Sequence, residues 1–77
     1  MDVDKIDIIK IFAENVRAER ARKMYSLETL AEKAGISPEY LNRIEHEKYN
    51  PSITVAVCLA LALEVPIETL LPINKIK

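Results

Sequence analysis

The sequence predicts an all-α fold, a compact five-helix bundle forming a single domain over residues 1–77. Three observations predict it. The chain holds one glycine and four prolines, too few positive-φ residues for the tight turns of a small β-rich domain. Apolar residues recur at spacings of three and four, the helical period. Serine, proline and glycine stand at breaks in that pattern, where helices start and stop.

The first helix carries Ile8/Ile9, Phe12/Ala13 and Val16 on one stripe, with Lys10, Glu14 and Arg17 off it. Asp4 is placed to cap it, and Asp7 suits the positive end of its dipole. The stripe fades near Met24 and Tyr25. Ser26 caps a second helix of about two turns, lined by Leu27, Leu30, Ala31 and Ala34 and closed by Gly35. Ser37 and Pro38 open a third helix, with proline at the first position, where its missing N–H costs nothing. Leu41 and Ile44 face inward, and the helix ends near His46 or Glu47. Ser52 caps a fourth helix, Ile53 to Leu63, which is apolar on nearly every side and so expected to be buried on more than one. A short fifth helix, Ile67 to Leu71, lies between Pro66 and Pro72.

Composition narrows the class of function. The chain has 49% hydrophobic and 30% charged residues, the balance of a globular domain rather than a disordered tail. At 77 residues it buries roughly 60% of its unfolded surface, so its stability is marginal unless a partner adds to it. One cysteine excludes an internal disulfide, and one histidine with no Cys/His pairing excludes a familiar zinc site. No Ser/His/Asp set or phosphate-cradling glycine loop is present, so an enzyme is not expected, nor a cofactor. The acidic start of the chain does not read as a signal peptide. Ile53 to Leu63 is too short to cross a bilayer. A cytoplasmic protein is therefore expected, with no membrane partner. With no second domain, no small-molecule ligand is expected. Aromatic content of 5% argues against a sheet platform for single-stranded nucleic acid. The formal net charge is −1, yet residues 17–48 hold seven basic residues against six carboxylates, between an acidic start and a neutral end. A mildly basic centre is compatible with a DNA-binding face.

The distinctive unit is Leu27 to Ile44: short helix, glycine turn, short helix. Ala31 is small where two helices cross, Gly35 makes the turn, Ile36 plugs it, and Leu41 and Ile44 pin the second helix. These offsets fit a DNA-binding helix-turn-helix; an ordinary helical hairpin is the alternative. The run Ser26-Leu27-Glu28-Thr29-Leu30-Ala31-Glu32-Lys33-Ala34-Gly35-Ile36-Ser37, continued by Tyr40-Leu41-Asn42-Arg43-Ile44-Glu45, resembles the phage-repressor (Cro-like, xenobiotic-response-element) family. Asn50-Pro51-Ser52, Leu59-Ala60, Leu63 to Val65, Leu70 and Leu71 match its later part. The resemblance covers about residues 12–71, with 4–11 as an N-terminal helix extension. The domain length, Tyr40 and the Asn50–Ser52 loop also resemble the restriction–modification controller proteins and biofilm-type repressors within that family.

The resemblance implies a lambda-repressor-like five-helix bundle. It implies a sequence-specific transcriptional regulator that binds a palindromic double-stranded DNA operator as a homodimer. A protein-interaction module reusing the fold, antitoxin-like or coregulator, is the alternative. The chain departs from the family pattern at Met24, Glu47 and Glu64, where glycine is common, so these helix ends are expected to run on or close differently. At Leu27 the family often has a phosphate-binding glutamine; only backbone N–H groups remain there.

The candidate DNA-binding residues are Pro38, Glu39, Tyr40, Asn42, Arg43, His46, Lys48 and Asn50. Arg43 suits bidentate bonding to guanine O6 and N7, or else pairs with Glu39 one turn back. Glu39 can accept from cytosine N4 or serve the helix dipole. Asn42 can bond adenine, and Tyr40 can reach a phosphate or thymine methyl. His46, Lys48, Tyr49 and Asn50 lie where the family's loop meets the DNA backbone. Arg20 and Glu45 match a family pair that ties the first helix to the third. Arg17, Arg22, Lys23 and Lys33 read as a basic scatter, and Cys58 as a packing residue. The family places Ile53, Ala56, Leu59, Ala60 and Leu63 in the core. That leaves Val55, Cys58 and Leu61 as an exposed stripe, which forms the expected dimer interface with Ile67 and Leu70. The rival covers are the chain's own apolar end, at Ile67, Leu70, Leu71, Ile73 and Ile76, and the N-terminal extension, through Ile6, Ile8 and Ile11.

Overall fold

The computed structural model describes the backbone of residues 5–76 and the side chains of residues 8–74. Asp4 lies outside the described residues, as do the side chains of Ile6 and Asp7. The fold is all-helical among the described residues: α1 (Lys5–Lys23), α2 (Leu27–Ala34), α3 (Pro38–Glu45), α4 (Ile53–Leu63), α5 (Ile67–Leu70) and a further helical turn, α6 (Ile73–Ile76). The five-helix bundle is thus present. The turn α6 follows Pro72, a residue tolerated where a helix begins.

Three serines cap as their positions predict. The Ser26 hydroxyl accepts from the Thr29 N–H at 3.0 Å, Ser37 from Tyr40 at 3.1 Å and Ser52 from Val55 at 3.1 Å. Each satisfies one amide that the first helical turn leaves open. Four helices then close through left-handed residues. Gly35 has φ 75°, and Met24, Glu47 and Glu64 have φ 61°, 62° and 60°. The glycine-free ends therefore close as the glycine end does. Amides just beyond each helix fold back on it: Tyr25 to the Arg20 carbonyl (3.1 Å), Ile36 to Ala31 (3.0 Å), Lys48 to Arg43 (2.8 Å) and Val65 to Ala60 (3.0 Å). Such bonds satisfy the last carbonyls of a helix and compensate a backbone conformation unfavourable for a side-chain-bearing residue.

The core collects Phe12, Ala13 and Val16 of α1, Leu30, Ala31 and Ala34 of α2, Leu41 and Ile44 of α3, Ala56, Leu59, Ala60 and Leu63 of α4, and Leu70 of α5. The alanines of α2 let it lie close on α4, its most extensive neighbour. Asn15 of α1 donates to the Leu70 carbonyl at 3.0 Å and fastens α5.

Helix α4 corrects the expected packing. Ile53 is 84% exposed and is not a core residue. Leu70 is fully buried, so it belongs to the core and not to an outward interface. Val55, Cys58 and Ile67 are half-buried against the core. The large apolar residues of α4 left in solvent are Ile53, Val57 and Leu61, spaced by four along one ridge. Among the described residues the ridge stays exposed, and the side chain of Ile6 lies outside them. Ile8 and Ile9 flank a groove of about 190 Å³ that Ile53, Ala56, Pro51 and Leu71 also line.

Candidate nucleic-acid interface

Helix α3 is held by its inner face. Leu41 and Ile44 are buried, and Glu45, a charged residue, is 2% exposed. Its carboxylate is paired in two places: Arg20 Nε lies 2.8 Å from Oε2, and Arg20 Nη2 lies 2.9 Å from Oε1. Arg20 Nη1 also donates to the Tyr25 carbonyl at 3.2 Å. These hydrogen bonds to Glu45 hold the Arg20 guanidinium above the usual arginine range, against an opposing effect of partial burial. Arg17 Nη1 donates to the Glu45 carbonyl. Arg17 is therefore a second tether from α1 to the end of α3, not part of a loose basic scatter. Of that scatter, Arg22 pairs with Glu19 at 3.5 Å, Lys23 with Glu64 at 3.1 Å, and Lys33 lies 5.3 Å from the Tyr25 ring.

With its inner face fixed, α3 presents Glu39, Asn42 and Arg43 to solvent, with Pro38 and Tyr40 half-buried at its start. His46, Lys48 and Asn50 follow, all exposed. His46 terminates α3, and its Nδ1 donates to the Asn42 carbonyl at 2.8 Å. The expected DNA-contacting residues thus share one continuous surface, α3 and the loop after it. Glu39 forms no ion pair among the described residues. Arg43 instead donates from Nη1 to the Tyr49 hydroxyl at 2.8 Å, with its guanidinium carbon 5.5 Å from the Tyr49 ring centre. The Tyr49 and Tyr40 rings meet at 5.4 Å, tilted by 59°. Tyr49 was expected only in the loop. The clue available in the sequence was an aromatic six residues after Arg43, beyond a chain reversal. Leu27, at the glutamine position, packs against the core.

Two short helices packed by their inner faces on either side of a left-handed glycine, the second with a polar outer face, define a helix-turn-helix domain. The family model named Helix-turn-helix matches residues 16–70, and the chain belongs to that family, the Cro-like group. Its relatives agree. It is 36% identical over 70 residues to the control protein C.SmaI of Serratia marcescens, covering 91% of this chain and 83% of that one. It is 39% identical over 62 residues to the transcriptional regulator SinR of Bacillus subtilis, covering 79% of this chain and 56% of SinR. Among solved structures it matches the restriction–modification controller protein C.AhdI of Aeromonas hydrophila with TM-score 0.78 and 31% identity, over 80% of this chain and 94% of that one. It also matches SinR, the master regulator for biofilm formation, solved in complex with DNA, with TM-score 0.74 and 39% identity over 78% and 97% of the two chains. These relatives are control and regulator proteins, not enzymes.

Proposed function

We propose that this chain is a sequence-specific, double-stranded DNA-binding transcriptional regulator that binds a palindromic operator as a homodimer. The observation that carries this reading is the surface of α3. Glu39, Asn42 and Arg43 project together from a helix whose opposite face is locked by Leu41, Ile44 and the Arg20–Glu45 pair. A locked helix is what major-groove readout requires, because donors must meet base edges in register. Arg43 would bond guanine, Asn42 adenine and Glu39 cytosine N4. Amides at the start of α2 and, in the loop after α3, His46, Lys48 and Asn50 would hold phosphates and set the register. The exposed ridge of α4 would join two copies, placing their α3 helices about 34 Å apart, one turn of B-DNA. This reading places the protein in the cytoplasm and calls for neither cofactor nor small-molecule ligand.

The test is selection of bound sequences from a random duplex pool, followed by affinity against salt. The expected result is one recovered palindrome and a log–log salt slope of about −0.9 per phosphate neutralised. Arg43→Ala should cost about 1–3 kcal/mol on the recovered site and relax preference at one base pair per half-site. Recovery of no sequence and a flat salt response would favour the protein-interaction module. Leu27, packed inward where a phosphate-binding amide is usual, is the feature that favours it.

A further inference from the structure

We propose that Tyr49 is a positioning residue for base readout: it holds the Arg43 guanidinium in one orientation before DNA arrives. The inference rests on the reading of α3 as the DNA-contacting helix and assigns a role to a residue outside that helix.

The geometry is a relay from the core to the exposed arginine. Tyr40 packs against the core. The Tyr49 ring rests on Tyr40 at 5.4 Å. Arg43 lies over Tyr49 at 5.5 Å and donates to its hydroxyl at 2.8 Å. The loop that brings Tyr49 back beside Arg43 is itself fixed. Glu47 turns with φ 62°, and the Glu47 and Lys48 amides donate to the carbonyls of Ile44 (3.1 Å) and Arg43 (2.8 Å).

An exposed arginine samples many rotamers and loses that freedom on docking. One already clasped loses less, and the difference appears as affinity and as discrimination between bases. The clasp uses one N–H of Nη1. A guanidinium has five, so the edge formed by Nε and Nη2 stays free for a bidentate contact with guanine. The hydroxyl therefore restrains the arginine without consuming the edge that reads.

Tyr49→Phe isolates the effect, because it keeps the ring on Tyr40 and under Arg43 and removes only the hydroxyl. The experiment measures affinity of wild type, Tyr49→Phe, Arg43→Ala and the double variant. Each is tested on the duplex that wild type selects, on that duplex with the Arg43-dependent base pair swapped, and on an unrelated duplex. The expected result is a loss of about three- to tenfold on the selected duplex for Tyr49→Phe, the cost of immobilising one long side chain on docking. Discrimination at the swapped pair should narrow by a similar factor, affinity for the unrelated duplex should not change, and Tyr49→Phe should have no effect once Arg43 is alanine. In the free protein, NMR should show slower guanidinium motion for Arg43 than for the exposed Arg22, and the difference should vanish in Tyr49→Phe. Equal losses with and without Arg43 would mean that Tyr49 contacts DNA itself and would overturn the inference. A gain in affinity would overturn it too, because the clasp would then withhold Arg43. If wild type selects no sequence, the DNA reading fails and this inference with it. If wild type selects one and Tyr49→Phe is indistinguishable from it, this inference alone fails.

Discussion

At the scale of single residues, the Arg20–Glu45 pair shows how a buried charge specifies an orientation. Glu45 is 2% exposed and its partner is about a quarter exposed. Removing one member of such a pair strands the other in a poorly solvated place, which costs about 3–5 kcal/mol for fully buried pairs. The residual exposure of Arg20 lowers that to about 2–4 kcal/mol. A domain this size has roughly 4–12 kcal/mol of total stability, so either loss is large. We expect Arg20→Ala to cost more than Glu45→Ala, because it also strips the Tyr25 carbonyl of its donor. Glu45→Ala leaves the Arg17 bond to the main chain in place. Urea denaturation of both single variants and the double should give a coupling of about 1–3 kcal/mol. Simple additivity would show that the two side chains do not depend on one another. The Arg20 charge itself imposes no pH dependence in the ordinary range. Its proton affinity is raised on folding, so its contribution is complete below the unfolded pKa and is lost only at extreme alkalinity.

At the scale of helices, starts were legible in the sequence and ends only partly. A serine before an apolar run has one efficient use, accepting an amide, and Ser26, Ser37 and Ser52 all take it. Ends are harder to read because the left-handed residue need not be glycine. Met24, Glu47 and Glu64 adopt the same conformation as Gly35, held there by the bonds beyond each helix. The phase of α4 was not legible. A helix apolar on all sides carries no periodic signal, so the family pattern put Ile53 inside and the stripe on Val55, Cys58 and Leu61. The structure puts it on Ile53, Val57 and Leu61. In the candidate site, the outward residues of α3 followed from the inward pair Leu41 and Ile44. The Arg43–Tyr49 clasp did not, because it depends on where the loop returns. The helix ends yield a paired prediction. Met24 is 89% exposed, so Met24→Gly removes strain and little packing, and should stabilise by about 0.5–1 kcal/mol after the entropy of glycine is offset. Gly35→Ala should destabilise by about 1 kcal/mol through backbone alone, because an added Cβ meets nothing within 4 Å. Melting temperature should move by about 4–8 °C per kcal/mol, upward and downward respectively. A rise for neither glycine-bearing protein over its partner would show that these φ values carry no cost.

At the scale of the whole molecule, the proposal needs two copies, and α4 is where they would meet. Ile53, Val57 and Leu61 are 84%, 42% and 72% exposed and stand on one ridge about 12 Å long. A stable interface usually removes about 800 Å² from each partner, more than three side chains supply. The half-buried Val55, Cys58 and Ile67 beside the ridge would have to extend it. A two-fold axis across α4 packs each ridge on its own copy, so one substitution acts twice. Leu61 is the sharpest probe, because a glutamate there sets an unpaired charge against the partner's apolar ridge, at both ends of the interface. Sedimentation at micromolar concentration should give a wild-type mass of twice 8.8 kDa, a monomer for Leu61→Glu, and an unchanged dimer for Met24→Glu, an exposed site at the end of α1. The monomeric variant should keep wild-type affinity for a single half-site and lose the added affinity for the full palindrome, since linked sites bind through effective concentration. A wild type that sediments as a monomer, or a dimer indifferent to Leu61→Glu, would rule out this ridge as the interface while leaving the α3 surface untouched.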